Sequence, residues 1–281
     1  MPEGHTLHRL AGELAAAFAG REVRVQSPQG RFADAAALLD GSVLEGAEAW
    51  GKHLFVAFAG ERFVHVHLGL YGTFDVHHDV EEVPLPVGQV RLRLVATSAP
   101  PSYADLRGAT ACELLTAEQR DAIVTRSGPD PIRPGTDPSP AWDRVRRSRS
   151  PIGGLLMDQS VLAGVGNVYR AELLFRHRMH PLRPGHTLRS GQFRAMWDDL
   201  VGLMAEGVRT GRIDTVRPEH TPEAMGRAPR VDDHGGEVYV YRRSGQPCLL
   251  CGATVRTEVL LGRNLFWCPR CQPRFRSRAV Q

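Results

Sequence analysis

Apolar positions along this chain follow two periodicities, helical at the start and through the second half, alternating in between. Leu7, Leu10, Ala11, Leu14 and Phe18 recur at helical spacing, which predicts a helix that Gly20 ends. Residues 43–47, 53–58, 62–68 and 90–97 are β-branched or alternating runs separated by Gly or Pro, and they predict strands of a two-layer β structure. Thr116 with Gln119 forms a capping box that opens a short helix to about Val124. The stretch 127–140, SGPDPIRPGTDPSP, is crowded with Pro and Gly and reads as an interdomain linker, placed at about 127–138.

Beyond the linker the pattern turns helical. Ser139 and Pro140 supply an N-cap and a first-turn proline. Residues 152–178 read as two helices broken at Gly164 and Gly166, with Asn167 as N-cap of the second and Val168, Ala171, Leu174 and Phe175 as its buried stripe. A long helix follows, with Phe193, Met196, Trp197, Leu200, Val201 and Met204 on one face. Residues 209–236 look like a mobile polar loop, and EVYVY at 237–241 starts a small β-rich terminal module. The expected class is α+β. Its parts are an N-terminal β-sandwich domain with a leading helix (1–126), a helical domain (127–236) and a terminal metal-binding module (237–281).

Composition sharpens the picture at one residue and one segment. Of the 35 Lys and Arg residues only Lys52 is lysine. An ammonium loses its proton when buried or crowded, whereas a guanidinium does not, so Lys52 is a candidate proton-transfer group or phosphate ligand. The C-terminal segment carries Arg242, Arg243, Arg256, Arg263, Arg270, Arg274, Arg276 and Arg278 against a single acid, Glu258, a local cationic surface of the kind that holds nucleic-acid phosphates. There is no long apolar run and no signal-peptide pattern, so the expected setting is the cytosol, where thiols stay reduced.

Cysteines are therefore read as metal ligands first. Cys248-x2-Cys251, sixteen residues, then Cys268-x2-Cys271 has the spacing of a tetrahedral four-thiolate zinc site. Four thiolates leave no open position for water, so one structural zinc is expected, with 254–255 and 265–267 forming a short hairpin between the knuckles. Cys112 lies far away and reads as an inert buried thiol. At the other end, removal of Met1 exposes the secondary amine of Pro2, which at neutral pH offers far more free base than a lysine. Such an amine attacks an aldehyde carbon to form an iminium, an electron sink for elimination, with Glu3 beside it to shuttle a proton. Alone, a Met-Pro start is a weak signal.

Taken together, Met1-Pro2-Glu3-Gly4, Gly51-Lys52, the block DQSVLAGVGNVYRAELLF and the terminal CxxC-x16-CxxCQ resemble the formamidopyrimidine-DNA glycosylase / endonuclease VIII family, nearly end to end and in the family's order. The resemblance implies a helix–two-turn–helix DNA element in the helical domain. It also implies a bifunctional DNA glycosylase and abasic-site lyase that acts as a monomer on damaged double-stranded DNA, cytoplasmic and associated with the nucleoid. Pro2 would form the Schiff base with C1′, Glu3 would act as acid and base at the sugar, and Lys52 would contact a phosphate and assist β-elimination. Arg263 would be the finger arginine that supports δ-elimination. Asn167 would bind phosphate, Glu172 would be structural, and Leu70, Tyr71 and Arg126 would fill the emptied base stack. Two positions depart from the pattern: Gly153 stands where the family often has lysine, and Gly69 where the endonuclease VIII branch tends to carry glutamine. The Leu70-Tyr71 pair implies a preference for oxidised pyrimidines. The alternatives are an 8-oxoguanine-directed enzyme of the same family and a non-catalytic damage-binding protein.

Overall fold

The computed structural model describes residues 2–96, 98–231 and 236–275. Met1, Thr97 of an expected strand, residues 232–235 of the expected loop, and Arg276 and Arg278 of the basic segment lie outside the described residues. The chain forms two compact units, Met1–Arg126 and Ser127–Gln281.

In the first unit the leading apolar stripe folds as α1, Gly4–Phe18. Its buried side chains Leu7, Leu10, Leu14 and Phe18 face the sheet. The remaining elements are β1 (Arg21–Gln26), α2 (Ala33–Leu39), β2 (Ser42–Trp50), β3 (His53–Phe58), β4 (Arg62–His67), β5 (Thr73–His77), β6 (Val90–Ala96), β7 (Ser102–Arg107), β8 (Ala111–Thr116) and α3 (Ala117–Arg126). Eight antiparallel strands run in the order β5-β7-β6-β1-β2-β3-β4-β8. β1 joins two leaves: Arg21 to Val23 pair with β2, and Arg24 to Gln26 pair with β6. Sharing one strand between two leaves is how a continuous ladder folds over an apolar core, here with α1 packed on β2 and β3. The capping box at the start of α3 is present in both directions: Thr116 N–H donates to Gln119 Oε1 at 3.0 Å, and Gln119 N–H to Thr116 Oγ1 at 3.3 Å.

The second unit contains α4 (Ser139–Arg147), α5 (Ile152–Leu155), α6 (Asn167–Arg176), α7 (Ser190–Thr210), α8 (Pro222–Met225), β9 (Arg256–Leu260) and β10 (Arg263–Trp267). Six expectations change here. Ser139 is the first helical residue of α4, not its cap, and its N–H is met by Asp137 Oδ1 at 2.9 Å. The first of the two expected helices is one turn long, because residues 156–166 are stapled as turns by Gln159. Its Nε2 donates to Met157 O and Val165 O, and its Oε1 accepts from Gly164 N–H. The segment 237–241 is not a strand: the backbone N–H groups of Tyr239, Val240 and Tyr241 all donate to the Glu172 carboxylate. The finger hairpin begins at Arg256 rather than Thr254. Nor is the expected loop featureless. α8 is capped by Thr221, and Arg227 is ion-paired to Glu237 at 2.7 Å. The linker stretch is packed rather than free: Asp130 is buried, and Gly128 N–H donates to Gln159 O.

Candidate functional site

In the first unit the chemistry-bearing residues sit at element ends. Pro2 is half-buried ahead of α1. Glu3, the N-cap residue of that helix, is wholly buried, and its carbonyl accepts the Thr6 N–H at 2.9 Å. His5, buried in the first turn, is pushed down to about 4 by desolvation, so it is neutral at physiological pH. Lys52 lies on the two-residue turn between β2 and β3, where Trp50 pairs with His53 and Gly51 takes a left-handed φ of 57°.

Beside Lys52 the outer face of the sheet carries a histidine cluster. His53 Nδ1 and His65 Nε2 are 2.9 Å apart, and His67 stands edge-on to His53 with ring centroids 5.5 Å apart. Burial pushes His53 down to about 3, with further lowering from His65, His67, Arg126 and Lys52. His65 and His67 are lowered as well, first by burial. The imidazoles are therefore neutral polar neighbours, and they add no positive charge to the Lys52 and Arg126 surroundings. Arg126 is exposed at the C-terminal end of α3, where the helix dipole favours a cation.

The turn after β4 presents Leu70 and Tyr71 to solvent, Tyr71 at 88% exposure. That is a poor position for core residues and a good one for a wedge. The turn is closed by Gly72 N–H donating to Leu68 O at 3.0 Å and Gly69 N–H donating to His67 Nδ1 at 3.1 Å. Gly69 has φ of 70°, and a Cβ there would lie 2.4 Å from Thr110 Cγ2. Glutamine does not fit this turn.

In the second unit Asn167 is the first residue of α6 rather than its cap, which is Gly166, and the Asn167 side chain accepts from Arg170. α6 is buried all round, which is why its one-sided apolar stripe understated it. Glu172, fully buried, accepts four hydrogen bonds of 2.6–2.8 Å, from Thr215 Oγ1 and the three backbone N–H groups of 239–241. Gly153 packs on Pro181, whose carbonyl oxygen would lie 3.0 Å from a Cβ, so a side chain at that position requires Pro181 to give slightly.

The four cysteine sulfurs lie within 4.8 Å of one another, with Cys251–Cys268 at 3.4 Å and Cys248–Cys271 at 3.9 Å. A tetrahedron with Zn–S bonds of about 2.3 Å has edges of about 3.8 Å, so the donor set fits zinc. Gln272, buried behind the second knuckle, accepts from Cys268 N–H and donates to Met179 O, tying the knuckle to the helical part of the unit. Arg263 is exposed, one residue past the Leu261–Gly262 turn of the hairpin. Arg170 and the histidine cluster escaped the sequence reading. The alternation of His65 and His67 along RFVHVH was the available signal for the cluster.

Comparison with known proteins finds matches over most of the chain. Residues 1–112 match the formamidopyrimidine-DNA glycosylase N-terminal domain, 127–218 the formamidopyrimidine-DNA glycosylase H2TH domain, and 245–274 the zinc finger found in FPG and IleRS. The chain is 53% identical to Endonuclease 8 1 of Mycobacterium tuberculosis over 277 residues, covering 97% of this chain and 100% of that protein. It is 30% identical to the formamidopyrimidine-DNA glycosylase of Thermomicrobium roseum over 294 residues, covering 97% and 98%. The Lactococcus lactis Fpg protein, solved in complex with a THF-DNA and an inhibitor, shares the fold at a TM-score of 0.77 and 21% identity, covering 97% of this chain and 100% of that one. Among the described residues no helix is long and apolar enough to cross a membrane.

Proposed function

The chain belongs to the formamidopyrimidine-DNA glycosylase / endonuclease VIII family, glycosylases and abasic-site lyases of base excision repair, and from that membership we propose how its own residues divide the work. The substrate is duplex DNA carrying a damaged base, bound by one copy of the chain in the cytoplasm at the nucleoid. A base inside the stack is out of reach, so its nucleotide is turned out, and Leu70, Tyr71 and Arg126 fill the gap. With Met1 removed, the Pro2 amine attacks C1′, the glycosidic bond breaks, and the base leaves. Glu3 carries protons to and from the sugar as the iminium forms. Loss of the C2′ proton then expels the 3′ phosphate in β-elimination, with Lys52 holding that phosphate, and Arg263 supports the second, δ, elimination. Asn167 holds a backbone phosphate. The chain works as three modules, 1–126, 127–236 and 237–281, and one zinc on Cys248, Cys251, Cys268 and Cys271 holds the finger hairpin in shape without taking part in the chemistry.

The observation that carries this reading is the start of α1, where Pro2 stands outside the helix next to a carboxylate residue wholly withdrawn from solvent. A buried carboxyl next to an amine is suited to proton transfer rather than surface solvation. Retaining an uncleaved residue ahead of Pro2 removes the secondary amine and leaves the fold intact. The expected result is loss of both base release and strand cleavage with DNA binding kept, and full activity of the blocked protein contradicts the assignment. Oxidised pyrimidines are the preferred lesions, supported by the exposed Leu70-Tyr71 pair and by the 53% identity to an endonuclease VIII. The 8-oxoguanine reading draws support from Gly69, where the turn excludes glutamine.

A further inference from the structure

At the base of the finger hairpin, within the second unit, lies a groove of about 590 Å³. His180, Trp267, Thr254, Arg256, Glu258 and Arg274 line it. None of them is a zinc ligand or has a part in the chemistry assigned above. Arg256 and Arg274 are exposed, and among the described residues neither guanidinium has a hydrogen bond or an ion pair. Arg212 and Arg227 of the same unit, by contrast, each pair with an acid. Glu258, the one acid that lines the groove, is exposed and makes no ion pair with either arginine. The groove therefore keeps two cations whose charge nothing in the described residues has used.

His180 adds a donor whose identity is fixed. It is 6% exposed, and burial holds its pKa below the ordinary value, so the ring is neutral at physiological pH. The Leu182 N–H donates to Nδ1 at 3.1 Å, which puts the single ring proton on Nε2. Trp267 stands edge-on to the ring, with centroids 5.9 Å apart. Among the described residues no hydrogen-bond acceptor meets the Nε2–H. A withdrawn donor left unmet is costly, and this one lines the same groove as the two unpaired guanidiniums. An anion with several acceptor oxygens serves all three. The hairpin register says where such an anion comes from. Arg263 pairs with Leu260 and Trp267 with Arg256, so Arg256 and Arg263 stand on the same face of the hairpin. Leu260 and Arg256 are four residues apart on β9, roughly 13 Å, or about four nucleotide rises along one DNA strand. We infer that the groove is a second phosphate site of the finger, where Arg256, Arg274 and the His180 imidazole hold a backbone phosphate of the bound duplex a few nucleotides from the one assigned to Arg263.

This inference rests on the proposed reading of the hairpin as a phosphate-holding element through Arg263, and the test separates the two. The measurement is binding to a duplex with a tetrahydrofuran abasic analogue across about 0.05–0.3 M salt, where each phosphate contact contributes about −0.9 to the slope of log affinity on log salt. Arg256→Ala combined with Arg274→Ala is expected to make the slope shallower by about one, and Arg263→Ala by about one on its own. All three changes together are expected to lower it by about two, since separate phosphates add. Arg212→Ala removes one charge from the same unit outside the groove and is expected to leave the slope unchanged. His180→Phe keeps a ring and removes a neutral donor, so affinity falls at least about threefold with the slope unchanged. Zinc content and thermal midpoint report whether that variant is folded, and should it unfold, the two exposed arginines carry the decision. If Arg263→Ala shifts the slope and the double variant does not, the groove is overturned and the reading of Arg263 stands. If the double variant alone shifts it, the groove stands and the reading of Arg263 falls, and if neither does, both fall. A shift as large in Arg212→Ala means diffuse charge and overturns the site. Inorganic phosphate titrated into DNA-free protein, with the His180 imidazole followed by NMR, tests the source. Resonances that move there while the double variant keeps its slope mean a site for free phosphate, and the DNA assignment is overturned.

Discussion

Lys52 is the one lysine of a chain otherwise committed to arginine, and the structure puts it on a tight turn beside three imidazoles that burial keeps neutral. The neutral imidazoles add no charge of their own beside Lys52 and Arg126. Lys52→Arg preserves the charge of the lysine but raises proton affinity and changes donor geometry. Strand cleavage by this variant is expected to fall about 100-fold or more with duplex binding nearly unchanged, and single-turnover cleavage beside equilibrium binding checks it. His5 gives a second prediction. Its folded value of about 4 lies below the ordinary 6.5, so the unfolded chain binds a proton that the folded chain refuses. Above about pH 6.5 it carries no protonation cost, and stability is lost as pH falls from there to about 4, by on the order of 2–3 kcal/mol. Urea unfolding of the wild type and His5→Gln over that range should show the steeper pH dependence in the wild type. Lys52 stands out in the sequence because scarcity marks it. The histidines were not, because HVH is also the plain alternation of any half-buried strand.

Among elements, α6 is the one on which the second unit turns. Glu172 gathers three successive backbone N–H groups and a threonine hydroxyl, a load that no side chain lacking two acceptor oxygens can carry. Glu172→Gln places an NH2 against at least one of those donors. It is expected to cost about 3 kcal/mol or more, read as a lower denaturation midpoint of an otherwise zinc-loaded chain. On the proposed reading the finger hairpin depends on a zinc ion, whose charge offsets four clustered thiolates. Chelating zinc should unfold the hairpin, and DNA affinity should fall as Arg263 loses its mount. Arg263→Ala should give the same loss with zinc retained, and metal analysis beside binding distinguishes the two. The long elements were legible in the sequence: α1 and α7 carry clean 3.6-residue stripes. β1, β5, β7 and β8 were not, because charged residues such as Arg24, Asp75, Asp105 and Glu113 interrupt their short apolar alternation. EVYVY misled for the opposite reason. It alternates like a strand, yet its donors are spent on a carboxylate rather than on a partner strand.

At the scale of the whole molecule, the motifs that were legible are those whose geometry needs fixed spacing in sequence: the CxxC pairs and the glycine-broken turn before α6. What was not legible is what sequence-distant segments build together, above all the Glu172 cradle. Lesion preference is also a property of the whole chain. Oxidised pyrimidines such as thymine glycol are non-planar, stack poorly and are cheaper to turn out of the duplex. Faster release of thymine glycol opposite adenine than of 8-oxoguanine opposite cytosine is the expected order, and steady-state excision from matched duplexes checks it. The central claim is the identity of the nucleophile, and the composition of the chain makes it unusually easy to test. Reductive trapping needs an amine, and this sequence offers two kinds, its terminal amine and the single ε-amine of Lys52. In Lys52→Arg protein only the terminal amine remains. Borohydride added to that variant with abasic-site DNA is predicted to leave a covalent complex whose DNA-bearing peptide begins at Pro2, whereas no complex with the variant, and a wild-type crosslink that maps to Lys52, would contradict the account.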